Sequence, residues 1–371
     1  MTTPKHTPLA TFHADHGAKT VDFAGWEMPL QYPTGLMTEH RHTREAASLF
    51  DVSHMGQVRL RGATLEAAGL AFETVTPASV TGLKPRRQRY GVFTNDRGGI
   101  VDDFMFANHE QHWYAVLNAA RTATDLSLLH AVDGLEVEHV TDRALLAVQG
   151  PLAEQELARL VPEVADMVFM DSWILTWEGH EVWISRSGYT GEDGFEVSLP
   201  ASEGVRFAEA LVAGDVVRPA GLGARDSLRL EAGMPLYGND LTEDVTPVEA
   251  GLAWSIQKVR RPGGTRAGGY PGADVIERQL ADGAARVRVG LRPEGRAPVR
   301  DGAELFADET STEVLGVVTS GSFGPTVQGP VAMAMLPAGT EPGTVVHAAL
   351  RGRRVPVTVT ELPFVPLHYK R

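Results

Sequence analysis

The sequence predicts an α+β protein of two or three domains whose C-terminal part is entirely β. With 371 residues, the chain is longer than a single hydrophobic core usually grows, so more than one domain is expected. Helix-like and strand-like segments alternate in the first two thirds without the third glycine of a dinucleotide-binding βαβ fingerprint. Beyond residue 286, the apolar segments are all short and separated by glycine or proline turns, which is typical of a small barrel or sandwich.

The first predicted element is a helix over residues 38–50. Thr38 can cap its N-terminus, and Leu49 and Phe50 supply an apolar face near its end. Asp51 then interrupts the pattern. This segment is therefore expected to be one continuous helix.

A hairpin follows, because Asn-Asp-Arg-Gly-Gly at residues 95–99 is a turn signal between two segments rich in aromatic and branched residues. The segments that alternate from there are predicted as strands at 88–94, 100–107, 112–118 and 145–148, with a helix at 122–132.

The last third begins with residues 260–272, which are dense in glycine, proline and arginine and are predicted to form an exposed, solvated connection. Beyond it, short strands are predicted at 287–291, 314–319, 331–335, 345–350 and 355–360.

Composition removes several function classes. The chain has no cysteine, which excludes disulfides, thiolate nucleophiles, iron–sulfur ligation and cysteine-based zinc sites. Neither His40 with His42 nor His13 with His16 has the i, i+4 spacing of a zinc-protease motif, so we expect no metal. A formal net charge of −13 disfavours nucleic acid as a partner.

Targeting signals are also missing from the sequence. No segment approaches the roughly 20 apolar residues that a bilayer span requires, so no membrane association is expected. Residues 1–8 lack both the apolar centre of a secretion signal and the arginine-rich pattern of a transit peptide. We therefore expect a cytoplasmic location.

Two glycine-rich runs predict a binding pocket. Residues 186–196 (Arg-Ser-Gly-Tyr-Thr-Gly-Glu-Asp-Gly-Phe-Glu) place three glycines and three carboxylates between two apolar strands. Glycines permit close approach of the backbone to a ligand, and Glu196 at the exit could accept two parallel hydrogen bonds from an amidine-like group. In residues 220–233, Arg225 and Asp226 open a helix packed down by Leu228. Glu196 and Arg225 could equally form an ordinary surface ion pair.

Asp102 and Asp103 are adjacent in the strand Ile-Val-Asp-Asp-Phe-Met-Phe. Strand alternation directs their side chains to opposite faces, so only one of them is expected to face a pocket. Without further information, both could simply solubilise a strand end.

Together, these runs resemble the aminomethyltransferase family, the T protein of the glycine cleavage system. The resemblance extends in order from Pro8 to Tyr369. Besides the two glycine-rich runs, the motifs that carry it are Val-Asp-Phe-Ala-Gly-Trp at 21–26, Phe-Asp-Val-Ser-His-Met-Gly at 50–56, Gly-Gly-Ile-Val-Asp-Asp at 98–103, Gln-Gly-Pro at 149–151, Leu-Tyr-Gly-Asn-Asp at 236–240 and Pro-Val-Glu-Ala-Gly-Leu at 247–252.

The resemblance implies a three-domain cloverleaf of the folate-binding aminomethyltransferase type, with a C-terminal all-β barrel domain, around a central channel. On this basis, we expect a discontinuous first domain, an α+β second domain and a barrel. The expected boundaries are 1–53 with 141–170 and 233–275 for the first, 54–140 with 171–232 for the second, and 276–371 for the third.

The resemblance also implies the roles of individual residues. Asp103 matches the family's key catalytic aspartate, and Glu196 matches its pterin-binding glutamate. The other positions that match folate-contacting or channel positions are Arg225, Tyr90, Asn118, Trp254, Met55 and Tyr369.

The implied reaction takes an aminomethyl group from the lipoyl arm of the H protein, transfers its carbon to tetrahydrofolate and releases ammonia. Two relatives of the same fold are alternatives: the folate-binding part of sarcosine and dimethylglycine dehydrogenases, and a non-enzymatic folate-binding protein of iron–sulfur maintenance. The former carries a flavin domain ahead of this fold, whereas this chain begins almost at the first motif. The latter has a Lys-Gly-Cys-Tyr motif, which a chain without cysteine cannot contain. A scaffold protein would not explain the loops around Glu196 and Arg225.

Overall fold

The computed structural model describes residues 3–371, which form three open β-sheets and one closed barrel. The strands, in chain order, are β1 (Lys5–His6), β2 (Lys19–Phe23), β3 (Trp26–Gln31), β4 (Ala47–Asp51), β5 (Gly56–Arg61), β6 (Gln88–Thr94), β7 (Ile100–Asn108), β8 (Trp113–Leu117), β9 (Glu136–His139), β10 (Arg143–Gln149), β11 (Ser172–Trp177), β12 (His180–Ser185), β13 (Gly194–Pro200), β14 (Val217–Pro219), β15 (Arg286–Pro293), β16 (Glu304–Phe306), β17 (Gly316–Gly324), β18 (Gly329–Pro337), β19 (Val345–Leu350) and β20 (Arg353–Thr360).

The α-helices are short, with five to ten residues each. They are α1 (Ala10–Asp15), α2 (Leu36–Glu45), α3 (Leu65–Phe72), α4 (Thr122–His130), α5 (Ala153–Leu157), α6 (Gly204–Val212), α7 (Leu222–Glu231) and α8 (Ala273–Asp282). None of the helices within residues 3–371 has the length and apolar character needed to cross a bilayer.

A six-stranded mixed sheet forms the centre, in the order β11-β12-β13-β10-β4-β14. One face is covered by α5 and α6, with Leu146, Val197 and Phe207 in its core. The other face packs against the second large sheet, where Trp183 meets Tyr114 with 5.0 Å between ring centroids. A site between the two sheets can therefore take side chains from both.

The predicted helix over 38–50 is wrong in its second half. α2 begins after Gly35 and ends at Glu45, and the next residues form β4, all five of which are buried. β4 pairs antiparallel with β10 and parallel with β14, so it lies inside the sheet. The backbone hydrogen bonds and burial gained there outweigh the helix propensity of Ala47 and Leu49.

The second large sheet is antiparallel, in the order β6-β7-β8-β5-β9. The predicted strands at 88–94 and 100–107 are confirmed as β6 and β7. The turn between them is closed by Asn95, whose side-chain oxygen accepts hydrogen bonds from the backbone N–H groups of Arg97 and Gly99 at 2.9 and 3.0 Å. Phe93 and Phe104 stack beneath this sheet, with 4.2 Å between ring centroids. The hairpin is thus rigid, which fixes the side chains on its opposite face.

The predicted C-terminal barrel is confirmed. β15-β18-β17-β16-β19-β20 close into a six-stranded antiparallel barrel around Leu291, Ala334 and Val357. The three-residue strand β16 was not predicted, because so short a segment lacks a detectable alternation.

The connection over residues 260–272 is less exposed than its composition predicts. Arg260 is buried and donates to the backbone oxygens of Glu73 and Thr76 at 2.8 and 3.2 Å. Arg266 reaches the Glu73 carboxylate at 2.9 Å. These arginines therefore anchor the connection to the second sheet, and the prediction that they are solvated is wrong for this pair.

The domain boundaries stay a prediction, although the strand pairing bears on one of them. The expected second domain joins residues 171–232 to 54–140, yet β12 and β13 lie beside β10 in the central sheet and not beside β5 to β9. The pairing favours moving 171–232 into the first unit.

Candidate active site

Asp103 is held in place by side chains from neighbouring strands. The space that it borders with Tyr90 and Tyr189, beside Arg225, is called the channel below. Asp103 lies on β7, Tyr90 lies on β6 and Asn118 follows β8, and these three strands are adjacent. The Tyr90 hydroxyl donates to Asp103 Oδ2 at 3.0 Å, and Asn118 Nδ2 donates to Asp103 Oδ1 at 2.8 Å. Both carboxylate oxygens are therefore fixed in direction while the group stays partly accessible.

Asp102 points to the other side of the strand, as the alternation predicts. Its side chain is completely buried, and it accepts hydrogen bonds from the backbone N and the Nδ2 of Asn118 at 3.2 and 2.9 Å. Asn118 thus bridges the two aspartates, which the sequence did not indicate. Only Asp103 is open to a ligand.

The protonation of Asp103 is shifted toward neutral pH. Burial and the negative charge of Asp102 raise the pKa of the Asp103 carboxyl to about 7, against the hydrogen bonds from Tyr90 and Asn118 that lower it. A carboxyl group whose pKa lies near the working pH can both carry a charge and exchange a proton.

Glu196 and Arg225 are not the ordinary ion pair that was the alternative. Within residues 3–371, the Glu196 carboxylate has no hydrogen-bond or ion-pair partner, and Arg225 Nη1 is buried without one. Burial raises the pKa of Glu196, and the charge of Arg225 opposes this. The Arg225 guanidinium lies over the Tyr189 ring at 4.9 Å from its centroid. Two opposite charges facing each other without direct contact leave a gap that a polar ligand can fill.

Glycine is required in the run at 186–196 for a reason that was not predicted. A Cβ at Gly188 would lie 1.8 Å from Gln149 Oε1, and one at Gly194 would lie 2.4 Å from the Val148 oxygen. Gln149 donates to the Ser187 oxygen at 2.9 Å. Gly188 and Gly194 therefore allow close packing on Gln149, whereas Gly191 adopts a φ of +83° that favours glycine.

The other carboxylates of this run are structural. Glu192 accepts from Arg44 at 2.9 Å, and Asp193 pairs with Arg186. Glu196 is the carboxylate of the run that remains free for a ligand.

The remaining predicted residues lie at different distances from this centre. Trp254 is 61% exposed and lies against Tyr90, with 5.5 Å between ring centroids. Met55 packs on the cluster that contains Tyr114 between the sheets. Tyr369 stacks on Phe169 at 4.1 Å, beside the run at 186–194, and makes no contact with Asp103.

Two residues of the channel were not predicted. Burial raises the pKa of the Tyr189 phenol; the charges of Arg229 and Arg225 lower it and that of Asp103 raises it, and the Arg225 guanidinium lies over the ring. Arg288 of the barrel lies near Tyr90 and donates to the Gly233 and Ala250 oxygens at 2.9 Å. Tyr189 was visible in the glycine-rich run, whereas nothing in the sequence around Arg288 marks it.

A small cavity of about 10 Å³ lies beside Glu196 between the two sheets. Its walls are formed by Gln88, Met105, Phe106, Ala107, Tyr114, Val116, Leu145, Trp183, Ser185 and Glu196. A cavity of this size has room for about one water molecule.

The histidines considered as metal ligands have structural partners. His40 contacts Ser227 and Glu231 at 2.7 and 3.0 Å, and His13 contacts Asp51 at 2.8 Å. The part of the chain from residue 3 to 371 holds no group of three or more acidic or histidine side chains that could bind a metal ion.

Comparison with known proteins identifies the family. Residues 9–260 match the GCVT N-terminal domain, and residues 286–366 match the glycine cleavage T-protein C-terminal barrel domain. The chain belongs to the glycine cleavage T-protein family. It is 41% identical to the mitochondrial aminomethyltransferase of Dictyostelium discoideum, covering 99% of this chain and 94% of the relative. It is 40% identical to the mitochondrial aminomethyltransferase of Homo sapiens, covering 98% of this chain and 91% of that protein.

A solved structure of this family has the same fold. The aminomethyltransferase T of the glycine cleavage system from Bartonella henselae superposes with a TM-score of 0.92, at 40% identity and with 99% of each chain covered. The α+β cloverleaf with a C-terminal barrel is thereby confirmed, and the chain is a transferase of this family.

Proposed function

We propose that this protein transfers the one-carbon unit of an aminomethyl group, carried on the lipoyl arm of an H protein, to tetrahydrofolate. The observation that carries the proposal is the pair of free charges, Glu196 and Arg225, facing a channel in which Asp103 is fixed by Tyr90 and Asn118. The chain belongs to the glycine cleavage T-protein family, and this membership and the names of its relatives support the reaction class.

The free groups suit a reduced pterin. Its ring N–H and exocyclic amino group lie side by side, and a carboxylate such as Glu196 can accept from both. Each charge-assisted hydrogen bond contributes about 1.5 to 3 kcal/mol. Arg225 also has a free donor for a ring oxygen or nitrogen. Met55, Trp254 and Tyr369 complete the proposed folate-binding set.

Asp103 suits the chemical step. Two bonds of the methylene carbon break, one to the amino nitrogen and one to the lipoyl sulfur, and two bonds to folate nitrogens form. The two folate N–H protons end on the leaving groups, which depart as ammonia and as a thiol. A cation develops on the methylene carbon as its bonds to the leaving groups break: sulfur stabilises it when ammonia leaves, and a folate nitrogen stabilises it as an iminium when the lipoyl thiolate leaves. A fixed carboxylate beside that cation stabilises it, and the same group can accept a folate N–H proton and pass it on.

The proposed partners follow from this reaction. The donor is an aminomethyl-loaded lipoyl carrier of the H-protein type, and the acceptor is tetrahydrofolate as a co-substrate. We propose a cytoplasmic location, although the eukaryotic relatives named above are mitochondrial. Cell fractionation with an antibody against the chain tests this location.

One assay tests the function against its alternatives. The purified protein is incubated with aminomethyl-loaded lipoyl carrier and tetrahydrofolate, and ammonia and methylenetetrahydrofolate are measured together. We expect both products in equal amounts, and none when either substrate is omitted. Folate binding without either product would favour a non-enzymatic folate-binding protein, and turnover of sarcosine or dimethylglycine with a flavin partner would favour the dehydrogenase relatives.

A substitution at Trp254 tests the rim of the folate site. Trp254→Ala should weaken tetrahydrofolate binding about threefold to tenfold, because an aromatic pair contributes about 0.5 to 1.5 kcal/mol. The thermal melting temperature should stay unchanged, since the side chain is 61% exposed. Calorimetric titration measures the affinity, and Trp254→Phe, which keeps a ring against Tyr90, is the control. Equal affinities for the Ala variant and the wild type would remove Trp254 from the site.

A further inference from the structure

Two buried aspartates, Asp102 and Asp125, lie on the side of the second sheet opposite to Asp103. Asp102 on β7 and Asp125 in the first turn of α4 both have no exposed surface. Neither oxygen of Asp125 receives a hydrogen bond from an N–H or hydroxyl group within residues 3–371. The Asp125 side chain therefore does not cap its own helix. An ionised carboxylate so buried and without donors would be very unfavourable, so this group requires a physical explanation.

Asn118 connects the buried pair to the channel. Its Nδ2 donates to Asp102 Oδ1 at 2.9 Å and to Asp103 Oδ1 at 2.8 Å, and its backbone N donates to Asp102 Oδ2 at 3.2 Å. The orientation of the amide that holds Asp103 is thus set by Asp102. Whatever fixes Asp102 also fixes Asp103.

Asp125 is the group that contacts Asp102 from the helix side. The carboxyl groups of Asp102 and Asp125 are close enough for each to shift the pKa of the other, and two ionised carboxylates at this separation would repel each other unless one of them held a proton. Burial, followed by the charge of Asp102, raises the pKa of Asp125 to about 10, whereas Asp125 lowers the pKa of Asp102 against the effect of burial. Asp102 accepts two hydrogen bonds from Asn118 and Asp125 accepts none, so the negative charge is better placed on Asp102 and the proton on Asp125.

The other charged and titratable groups around Asp125 do not change this assignment. Arg121 lowers the pKa of Asp125, but its guanidinium is engaged by Glu243 at 2.8 Å and lies over the Tyr237 ring. The charge of Asp103 raises the pKa of Asp125 and so favours its protonated form. Within the described chain, no cation forms an ion pair with Asp125.

We propose that Asp125 is a positioning residue of the transfer reaction: its carboxylic acid donates a hydrogen bond to Asp102, which keeps one negative charge and the Asn118 amide in place behind Asp103. The inference rests on the proposed function. Because Asp102 raises the pKa of Asp103, the buried pair also sets the pH range in which Asp103 is ionised.

Two substitutions of Asp125 separate positioning from packing. Asp125→Asn keeps a donor toward Asp102 and should retain kcat within about threefold of the wild type. Asp125→Leu has a similar size but no donor, so kcat should fall about tenfold to a hundredfold, with the KM for tetrahydrofolate changed less than about threefold. Deprived of its donor, Asp102 should take up a proton more readily, which would shift the acidic limb of the kcat profile to lower pH.

The controls use the exposed Asp133, just after the same helix. Asp133→Asn and Asp133→Leu should leave kcat and its pH profile unchanged. Wild-type kcat and pH profile in a folded Asp125→Leu variant would overturn the proposal, as would an Asp125→Asn variant impaired as strongly as Asp125→Leu.

A spectroscopic measurement tests the proton without relying on turnover. We expect the infrared spectrum of the wild type at pH 8 to contain a carboxylic acid C=O band that disappears in Asp125→Asn, even when Asp125→Leu does not fold. Identical spectra in this region would overturn the proposal. Since this readout needs no substrate, a protein that shows the band but does not release ammonia would contradict the proposed function and not the buried acid pair.

Discussion

Asp103→Asn should lower turnover about a hundredfold to a thousandfold while the protein stays folded and still binds tetrahydrofolate. The substitution preserves the shape of the side chain: its oxygen can still accept from Asn118, and its NH2 group can donate to the Tyr90 oxygen. It deletes the charge beside the developing cation. A preorganised electrostatic contact of this kind is worth about 2.7 to 4 kcal/mol in the transition state. The measurement is kcat at saturating carrier and folate. Folate affinity should persist, because Glu196 and Arg225 are unchanged.

The stability of this variant gives a second readout. In the folded protein the pKa of Asp103 is raised to about 7, so the folded state holds the proton more tightly than the unfolded chain. Ionised Asp103 therefore destabilises the fold as the pH rises from about 4 through 7. Asp103→Asn removes this penalty and should melt at or above the wild-type temperature at pH 8. A large drop in melting temperature would mean that lost activity reports misfolding.

The pH profile and the neighbouring aspartate complete the test. If the ionised form is active, wild-type kcat should rise with pH through about 7 and then level off, and this limb should vanish in Asp103→Asn. Asp102→Asn should lower kcat less than Asp103→Asn does, because it keeps an acceptor for Asn118 and leaves the charge of Asp103. An Asp102 variant more impaired than the Asp103 variant would show that the wrong aspartate is assigned.

Local signals in the sequence were sufficient for part of this site. The hairpin signal at residues 95–99 and the alternation of β7 place Asp103 and Asp102 on opposite sides, and the strand order then brings Tyr90 and Asn118 to Asp103. Such contacts depend on strand register, which short turns determine. Residue types and spacing are therefore informative within a hairpin.

Contacts between segments that are far apart in the sequence could not be predicted from such local signals. The helix predicted to continue to Phe50 instead becomes β4, because β10 and β14 arrive from about 100 and 170 residues later to pair with it. The glycines at 188 and 194 appeared to serve a ligand, whereas they make room for Gln149. Asp125 looks like an ordinary first-turn acid until α4 packs on the second large sheet and Asp125 is removed from water.

The charge of Glu196 explains the second large effect that we expect. The carboxylate is free of protein partners within the described residues, and burial already raises its pKa, so the folded protein holds an ionised group at a cost. Structures retain such unfavourable groups mainly at functional sites. The compensation expected here comes from ligand hydrogen bonds and from the Arg225 charge across the gap.

Glu196→Gln should weaken tetrahydrofolate binding about tenfold to a hundredfold, with little loss of fold stability. The amide keeps the size of the side chain but turns one acceptor into a donor, which opposes the pterin amino group and forfeits one charge-assisted hydrogen bond of about 1.5 to 3 kcal/mol. Calorimetric titration gives the affinity, and thermal melts check the fold. Glu136→Gln, at an exposed position on β9, removes the same charge without touching the channel and should bind as the wild type does. Wild-type affinity in the Glu196 variant would mean that the pterin is recognised elsewhere, and that the gap between Glu196 and Arg225 serves another ligand.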